Sequence, residues 1–341
     1  MPLPPQSEKG TPQDLDLIEA WLTFKIANEG KSEETIRKYR GYLHRLIDFL
    51  DGRPVLSASN EDLETFSGPF VHQQGLSPRS RHALVAAVRG FYGWLFKKGK
   101  IRSDPAIRLP YPKAGKKLPI PMALSNAEAL LMQPDISTLA GARDAAMIAI
   151  LMGCGLRVSG LISMNQENLS FPIEDGKERM LVRVTEKGKK ERVVPAPHEA
   201  RLLIHVYLGH PDLGEVDRAL PSGDRVLFVS LRNRRVTADK FHGEARRLSS
   251  RSVHNMIRNR GGLAGLPPDQ CHPHALRHLF GTELAEKDVD LLVRQTLMGH
   301  EDPRSTAIYT HLASRKLAKE MDRAGPLGRV KTPVSELLGQ L

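Results

Sequence analysis

Cysteine occurs only twice in this chain of 341 residues, as Cys154 and Cys271. Two thiols so far apart in sequence build neither a disulfide framework nor a four-cysteine zinc site, and they suit a reducing compartment. No apolar run approaches the roughly 18 residues that a bilayer-spanning helix needs. The N-terminus, MPLPPQSEKGTPQ, lacks the basic start and apolar core of an export signal. A cytoplasmic protein without membrane attachment is therefore expected. Acidic residues are also in deficit: 39 Asp and Glu stand against 50 Lys and Arg, a net charge of +11 and a pI near 9.7. A surface of that sign attracts phosphates over long range, so a nucleic acid is the expected partner.

The length exceeds what one hydrophobic core usually serves, which predicts two domains. After a Pro-rich start over residues 1–12, Leu15, Ile18, Trp21 and Leu22 recur at helical spacing. A second helix is expected from Ser32, whose hydroxyl can cap it, with Ile36, Tyr39, Leu43, Leu46, Ile47 and Leu50 on one face and Asp51-Gly52 as its stop. A third covers Asn60 to about Gln74, and a fourth runs from Ser77-Pro78 to Gly99. Four helices without strands make an all-helical domain over 13–101. Trp21, Phe91, Tyr92 and Trp94 sit at core spacing and read as packing, whereas Arg79 and Arg81 are candidates for phosphate contact.

Residues 102–121, RSDPAIRLPYPKAGKKLPIP, hold five prolines and read as a basic interdomain linker, with Lys113, Lys116 and Lys117 as candidate DNA contacts. From Ser125 the pattern turns helical: Ser125-Asn-Ala-Glu128 matches a capping box, and an apolar helix from about Ala140 to Met152 follows. Gly153-Cys154-Gly155-Leu156-Arg157 breaks that helix and places an arginine before a new helical segment, Val158 to Asn165. The β-branched runs Met180 to Thr185 and Arg192 to Pro195 flank a basic tip, Glu186 to Glu191, and predict a hairpin. Residues 225–260 read as helical, with ten basic residues against two acids. That makes them a candidate nucleic-acid surface, with Arg234, Arg235 and Arg251 singled out.

The stretch from Cys271 to Leu312 concentrates His274, Arg277, His278, His300, Tyr309 and His311 among apolar residues. His274 and Arg277 are three apart on a helix begun by Pro273, so both are expected on one face while Leu276, Phe280 and Leu284 bury the other. An apolar helix from Leu291 to Met298 is stopped by Gly299 and leaves His300 at its mouth. Two arginines can fork onto the non-bridging oxygens of a phosphodiester, which suits Arg157 and Arg277. Beside guanidiniums and a histidine a tyrosine loses its proton more readily and can attack phosphorus. Lys187 on the hairpin tip can return a proton to the leaving sugar oxygen. Two other readings remain open at this point. His274 and His278 have metal-ligand spacing and, with Cys271, His272 or His300, suggest a zinc hydrolase. A DNA-binding protein without catalysis is the other.

GLRVS at 155–159, EKGKKERVVP at 186–195, HALRH at 274–278, LMGHED at 297–302 and STAIYTHL at 305–312 resemble, in order and approximate spacing, the boxes of the tyrosine recombinase (phage integrase) family, with the Xer-like branch nearest. Ser32, Thr35 and Tyr39, with the Asp104-Pro105-Ala106 exit, resemble that family's core-binding domain. The resemblance implies a mainly α protein with a small β-sheet: a SAM-like all-helical core-binding domain and a mixed α+β catalytic domain over 122–325, closing on DNA as a C-shaped clamp.

The same resemblance implies Arg157 and Arg277 as phosphate clamps, Lys187 as general acid, His274 as acid/base partner, His300 as transition-state hydrogen bonder and Tyr309 as nucleophile. Read by themselves, His278 is expected as a structural hydrogen bonder and His311 as packing near the nucleophile. The resemblance further implies topoisomerase IB-like strand breakage and rejoining without metal or cofactor, through a 3′-phosphotyrosine and a Holliday junction. The implied partners are recombination sites in double-stranded DNA and a homotetramer on synapsed DNA, with a second recombinase or accessory protein as a further partner and the nucleoid as location. The tail, 326–341, with Pro333 to Leu341 in particular, is the segment expected to dock on a neighbouring protomer. Two departures stand out: Gly160 occupies a position that is acidic in many relatives, and Asn233 to Arg251 is longer than the usual connection.

Overall fold

The computed structural model describes residues 10–113, 122–185, 191–232, 236–299 and 320–334. The chain divides into two compact units, Met1–Leu118 and Pro119–Leu341, each with its own buried core.

In the first unit helices begin where a hydroxyl caps them. Thr11 forms a capping box with Asp14 ahead of α1 (Pro12–Glu29), Ser32 caps α2 (Glu33–Leu50), Ser59 forms a capping box with Asp62 ahead of α3 (Asn60–Thr65), and Ser77 caps α5 (Pro78–Lys97). Between α3 and α4 (Val71–Gln73) the chain stays helical but widens to a π-turn over Phe66–Phe70, where Pro69 cannot donate the usual hydrogen bond. Left-handed Gly30 and Asp51 end α1 and α2. Trp21, Phe91 and Tyr92 are fully buried, and Trp94 packs against the same core, as its spacing predicts. The Ser32, Thr35, Tyr39 pattern has a physical basis: the two hydroxyls lie 3.0 Å apart at the helix start, and Tyr39 stacks on Trp21 at 5.4 Å.

The Pro-rich stretch differs from the expected exposed tether in its first half. Ala106 and Leu109 are buried in the first unit's core, Asn60 donates to the Pro105 carbonyl, and Arg89 holds the Leu109 carbonyl and lies over the Tyr111 ring. Apolar side chains among the prolines account for this, since burying them repays the ordering of a stretch that has no ladder of its own.

The second unit is built around α7 (Leu139–Cys154), which is buried on nearly every side. A helix that is apolar all round belongs inside a fold. Its one buried carboxylate, Asp144, is satisfied by Arg143 and Arg260 at 2.7 and 2.9 Å. Against α7 lie α6 (Leu124–Leu131), α8 (Val158–Ser163), α9 (His198–Leu208), α12 (Pro273–Glu286) and strand β5 (Glu191–Ala196). Other helices among the described residues include α10 (Pro211–Gly214), α11 (Ser250–Leu263) and α13 (Leu291–Met298). A three-stranded antiparallel sheet has the order β1 (Leu169–Ser170), β4 (Met180–Thr185), β5, and a two-residue pair, β2 (Ile173–Glu174) with β3 (Lys177–Glu178), lies apart from it. The β4–β5 hairpin pairs Thr185 with Glu191, in keeping with its sequence pattern.

Three expectations for this unit are corrected. Helix α6 starts at Leu124 with Ala123 as an uncapped N-cap, not at a Ser125 box, and the Glu128 carboxylate accepts from the Lys331 backbone instead. The described residues of 225–249 form no α-helix, only short 3-10 turns at Ala238–Lys240 and Gly243–Arg246: isolated bridges join Asn165 to Val226 and Val229 to Arg247, and α-helix returns at α11. The tail does not leave the unit at 326, because Leu327, Val330 and Val334 are buried in its core; residues 335–341 lie outside the described ones. Among the described residues no helix is long and apolar enough to cross a membrane.

Candidate active site

Close helix packing at three glycines assembles the site. Gly155 ends α7 with φ +60°, and a Cβ there would lie 2.2 Å from the Phe280 ring of α12. A Cβ on Gly281 would lie 2.9 Å from the Met298 sulfur at the end of α13, and one on Gly153 would meet Leu327 at 2.7 Å. Without side chains at these points, the α7–α8 turn, α12 and α13 approach backbone to side chain. Arg157, at the N-cap of α8, and Arg277, one turn before Phe280, are thereby brought to the same place.

Their common target is the C-terminal turn of α13. Arg277 is buried and donates to the carbonyls of Gly155 and Met298, and Arg157 donates to the carbonyl of Gly299 at 3.3 Å. A helix leaves its last carbonyls without partners and carries negative potential at that end, so guanidiniums are well placed there. His274 and Arg277, expected on one face of α12, differ in their surroundings. Arg277 turns inward, while His274 stays exposed. His274 nonetheless has its pKa held below the usual imidazole value, first by partial burial and then by the positive field of His278, Arg277, His272 and His254. His272 caps α12 by accepting from the Ala275 N–H at 3.1 Å.

Arg192 is a further member of this group that the sequence reading passed over. It lies on β5 and donates to the carbonyl of Leu297, so three guanidiniums from three elements hold the successive carbonyls 297, 298 and 299. Alternation along β5 was the available signal, since Arg192 shares its face with buried Val194. Lys187, His300 and Tyr309 lie outside the described residues, as do Lys116, Lys117, Arg234, Arg235 and His311.

Among the other candidates Arg79, Lys113 and Arg251 are exposed and Arg81 is half-buried. The basic segment 225–260 is less available than its charge count implies. Arg247 donates to the carbonyls of Ile162 and Met164 and to Asn165, Arg260 pairs with Asp144, Arg225 with Glu167, and Arg246 covers the Phe241 ring. At Gly160 a Cβ would meet only Val184, at 4.0 Å, so the position has room for a side chain. The zinc reading gains no support: the Cys271 thiol is turned to the carbonyls of Leu266 and Pro267, the His274 and His278 rings are 6.4 Å apart, and among the described residues no three His, Cys, Asp or Glu groups are disposed to hold a metal ion.

Residues 122–316 match the phage integrase family and residues 18–99 match the phage integrase N-terminal SAM-like domain. The tyrosine recombinase XerD of Pseudomonas aeruginosa is 32% identical over 313 residues, covering 92% of this chain and 98% of that protein. Among solved structures, the XerH site-specific recombinase in its post-cleavage complex with palindromic difH substrate is similar with TM-score 0.64 and 19% identity, over 92% of this chain and 97% of that one. The lambda integrase tetramer bound to a Holliday junction gives TM-score 0.59 and 15% identity, over 86% and 78%. At these identities the two structures bear on the fold, whereas the family models and the XerD relative span both units of the sequence. The chain thus belongs to the phage integrase family and is a tyrosine-type site-specific recombinase.

Proposed function

We propose that this recombinase cleaves and rejoins DNA through Tyr309, with Arg157, Arg277, Lys187, His274 and His300 as its catalytic set, 13–101 as core-binding domain and 122–325 as catalytic domain. The observation that carries the reading is the convergence of Arg157 and Arg277 on adjacent carbonyls directly before His300 in the chain. Guanidiniums anchored in this way are oriented before DNA arrives, and electrostatic preorganisation of that kind is where phosphoryl-transfer catalysis gains most.

In the proposed step Arg157 and Arg277 neutralise the non-bridging oxygens of the scissile phosphate. The Tyr309 oxygen attacks phosphorus, and His274, kept neutral at ordinary pH by its lowered pKa, handles the phenolic proton. The phosphorus–O5′ bond breaks, its electron pair goes to O5′, and the Lys187 ammonium supplies the proton. The products are a 3′-phosphotyrosine and a free 5′-hydroxyl. Because the phosphodiester is exchanged for a phosphotyrosine and not hydrolysed, a 5′-hydroxyl from a second duplex can reverse the step without an external energy source. Two such exchanges, the first giving a Holliday junction, recombine two sites, and a homotetramer supplies the four tyrosines required. The lambda integrase tetramer on a Holliday junction supports that assembly. We place the protein in the cytoplasm, on the nucleoid.

The test is covalent capture from a randomised pool of nicked duplexes, in which loss of the short downstream strand prevents rejoining. The wild-type chain should yield an adduct that survives denaturant, and Tyr309→Phe none. Binding without any adduct would favour the non-catalytic reading.

A further inference from the structure

We infer that a cleft at the far end of α5 is a binding site for a phosphate-bearing ligand of nucleotide size. The cleft has a volume of about 600 Å³ and lies in the first unit, between the chain that leads into α3 and the stretch that follows α5. That volume is in the range of pockets that take small molecules. Three cations line it, Lys100, Arg102 and Arg108, and all three are exposed. None of them forms an ion pair or a side-chain hydrogen bond among the described residues, whereas Arg37, Arg40 and Arg53 of the same unit are each matched by a carboxylate. Asp104, the acid in the lining, is engaged elsewhere. Its Oδ1 accepts from the Ala106 N–H at 2.8 Å, and its Oδ2 lies beside α5, where a Cβ on Gly93 would approach it to 3.4 Å. Like charges gathered in a concavity repel one another and focus their field into it, and a bound anion relieves both.

The walls of the cleft are set by contacts of their own. Ala106 is buried, Asn60 donates to the Pro105 carbonyl at 2.9 Å, and the N–H groups of Ile107 and Leu109 close turns onto the carbonyls of Asp104 and Ala106. Lys100 and Arg102 precede this turn and Arg108 follows it, so the cations are carried by an ordered stretch of chain. A guanidinium forks onto phosphate oxygens, and Arg102 and Arg108 supply two of them. Ile107, in the same lining, is 61% exposed and offers an apolar face, so a phosphate that carries a nucleobase fits better than phosphate alone. The site is separate from the phosphate contacts expected of Arg79 and Arg81. Those two lie in the first turn of α5, whose 20 residues carry the chain about 30 Å before Lys100 is reached. A free nucleotide and a strand of DNA share the chemistry that this cleft recognises.

The test titrates the full chain with ADP and with inorganic pyrophosphate by calorimetry. ADP should bind saturably and more tightly than pyrophosphate. Arg102→Gln and Arg108→Gln should each weaken ADP at least about 10-fold, the usual worth of one charge-assisted contact, and Arg79→Gln should leave it unchanged. Because the side chains are exposed the melting temperature should not move, and Lys100→Gln provides the same readout if either arginine variant fails to fold. The duplex that the chain selects from a randomised pool separates the two sources. Wild-type duplex affinity in the cleft variants, with ADP still bound at saturating duplex, assigns a free nucleotide. A slope of log affinity against log salt lowered by about 1 in each variant, with the duplex displacing ADP, assigns a strand phosphate. The inference is overturned if neither anion binds saturably, or if ADP gains nothing over pyrophosphate. It is equally overturned if the Arg102→Gln and Arg108→Gln chains bind ADP as the wild type does, which would put the anion on other cations such as Arg157 and Arg277.

Discussion

Arg157 and Arg277 come from elements 120 residues apart in sequence and donate to neighbouring carbonyls, those of Gly299 and Met298. The pair is held by the end of α13, so the charge proposed to meet a phosphate and the stability of that helix end depend on the same contacts. Arg277→Ala should therefore affect both. It leaves the carbonyls of Gly155 and Met298 without their donor in a buried setting, at a cost of about 2–4 kcal/mol, read by denaturant unfolding of the full chain. Arg277→Lys should recover part of the stability but little of the cleavage rate, because an ammonium cannot fork onto two acceptors.

Gly155 is the backbone device beneath that pair. With φ at +60° and the Phe280 ring against its α-carbon, Gly155→Ala meets both backbone strain and overpacking. The expected loss is about 2–4 kcal/mol, measurable as a lowered melting temperature. Gly160→Ala is the control: it sits in α8 with room for a Cβ and should melt at or above wild type.

Much of this frame was legible in the sequence because its signals are local. Ser32, Ser77-Pro78, Gly299 and the β4–β5 alternation each announce an element end or face within a few residues, and all four occur as read. The misreadings share a different cause. Glu128 was assigned to a local cap, but its partner is Lys331, some two hundred positions on. The run Val226 to Val229 forms bridges only because Asn165 and Arg247 arrive beside it, and among the arginines that suggested a DNA-facing helix Arg247 is held by the carbonyls of Ile162 and Met164 and Arg260 by Asp144, all distant in sequence. Alternation along β5 marks the face of Arg192, but the Leu297 carbonyl that it meets lies on α13 and no local pattern points to it.

His274 gives a pH signature with a definite sign. Its folded-state pKa is lowered, so as pH falls through the ordinary imidazole range near 6.5 the unfolded state takes up the proton first. Stability contributed by His274 is thus fully present above that range and declines as pH falls until the folded pKa is passed. His274→Gln should flatten this part of the stability profile. Adduct formation by the wild type should likewise fade on the acid side of the same range, measured as single-turnover rate against pH.

Salt dependence separates DNA-facing arginines from structural ones. Arg79 and Arg251 are exposed, and each substitution to alanine should lower the slope of log affinity against log salt by about 1 with little change in melting temperature. Arg247→Ala should do the reverse, losing stability as the carbonyls of Ile162 and Met164 lose their donor and leaving the salt slope in place.

The most direct measurement of the central claim is the identity of the DNA–protein linkage. The captured adduct is digested with protease and nuclease, and the modified peptide is sequenced by mass spectrometry. The account predicts a nucleotide joined through its 3′-phosphate to Tyr309, with the downstream strand released bearing a 5′-hydroxyl. A 5′-phosphate linkage, attachment to any other residue, or hydrolysed ends with no linkage at all would contradict it.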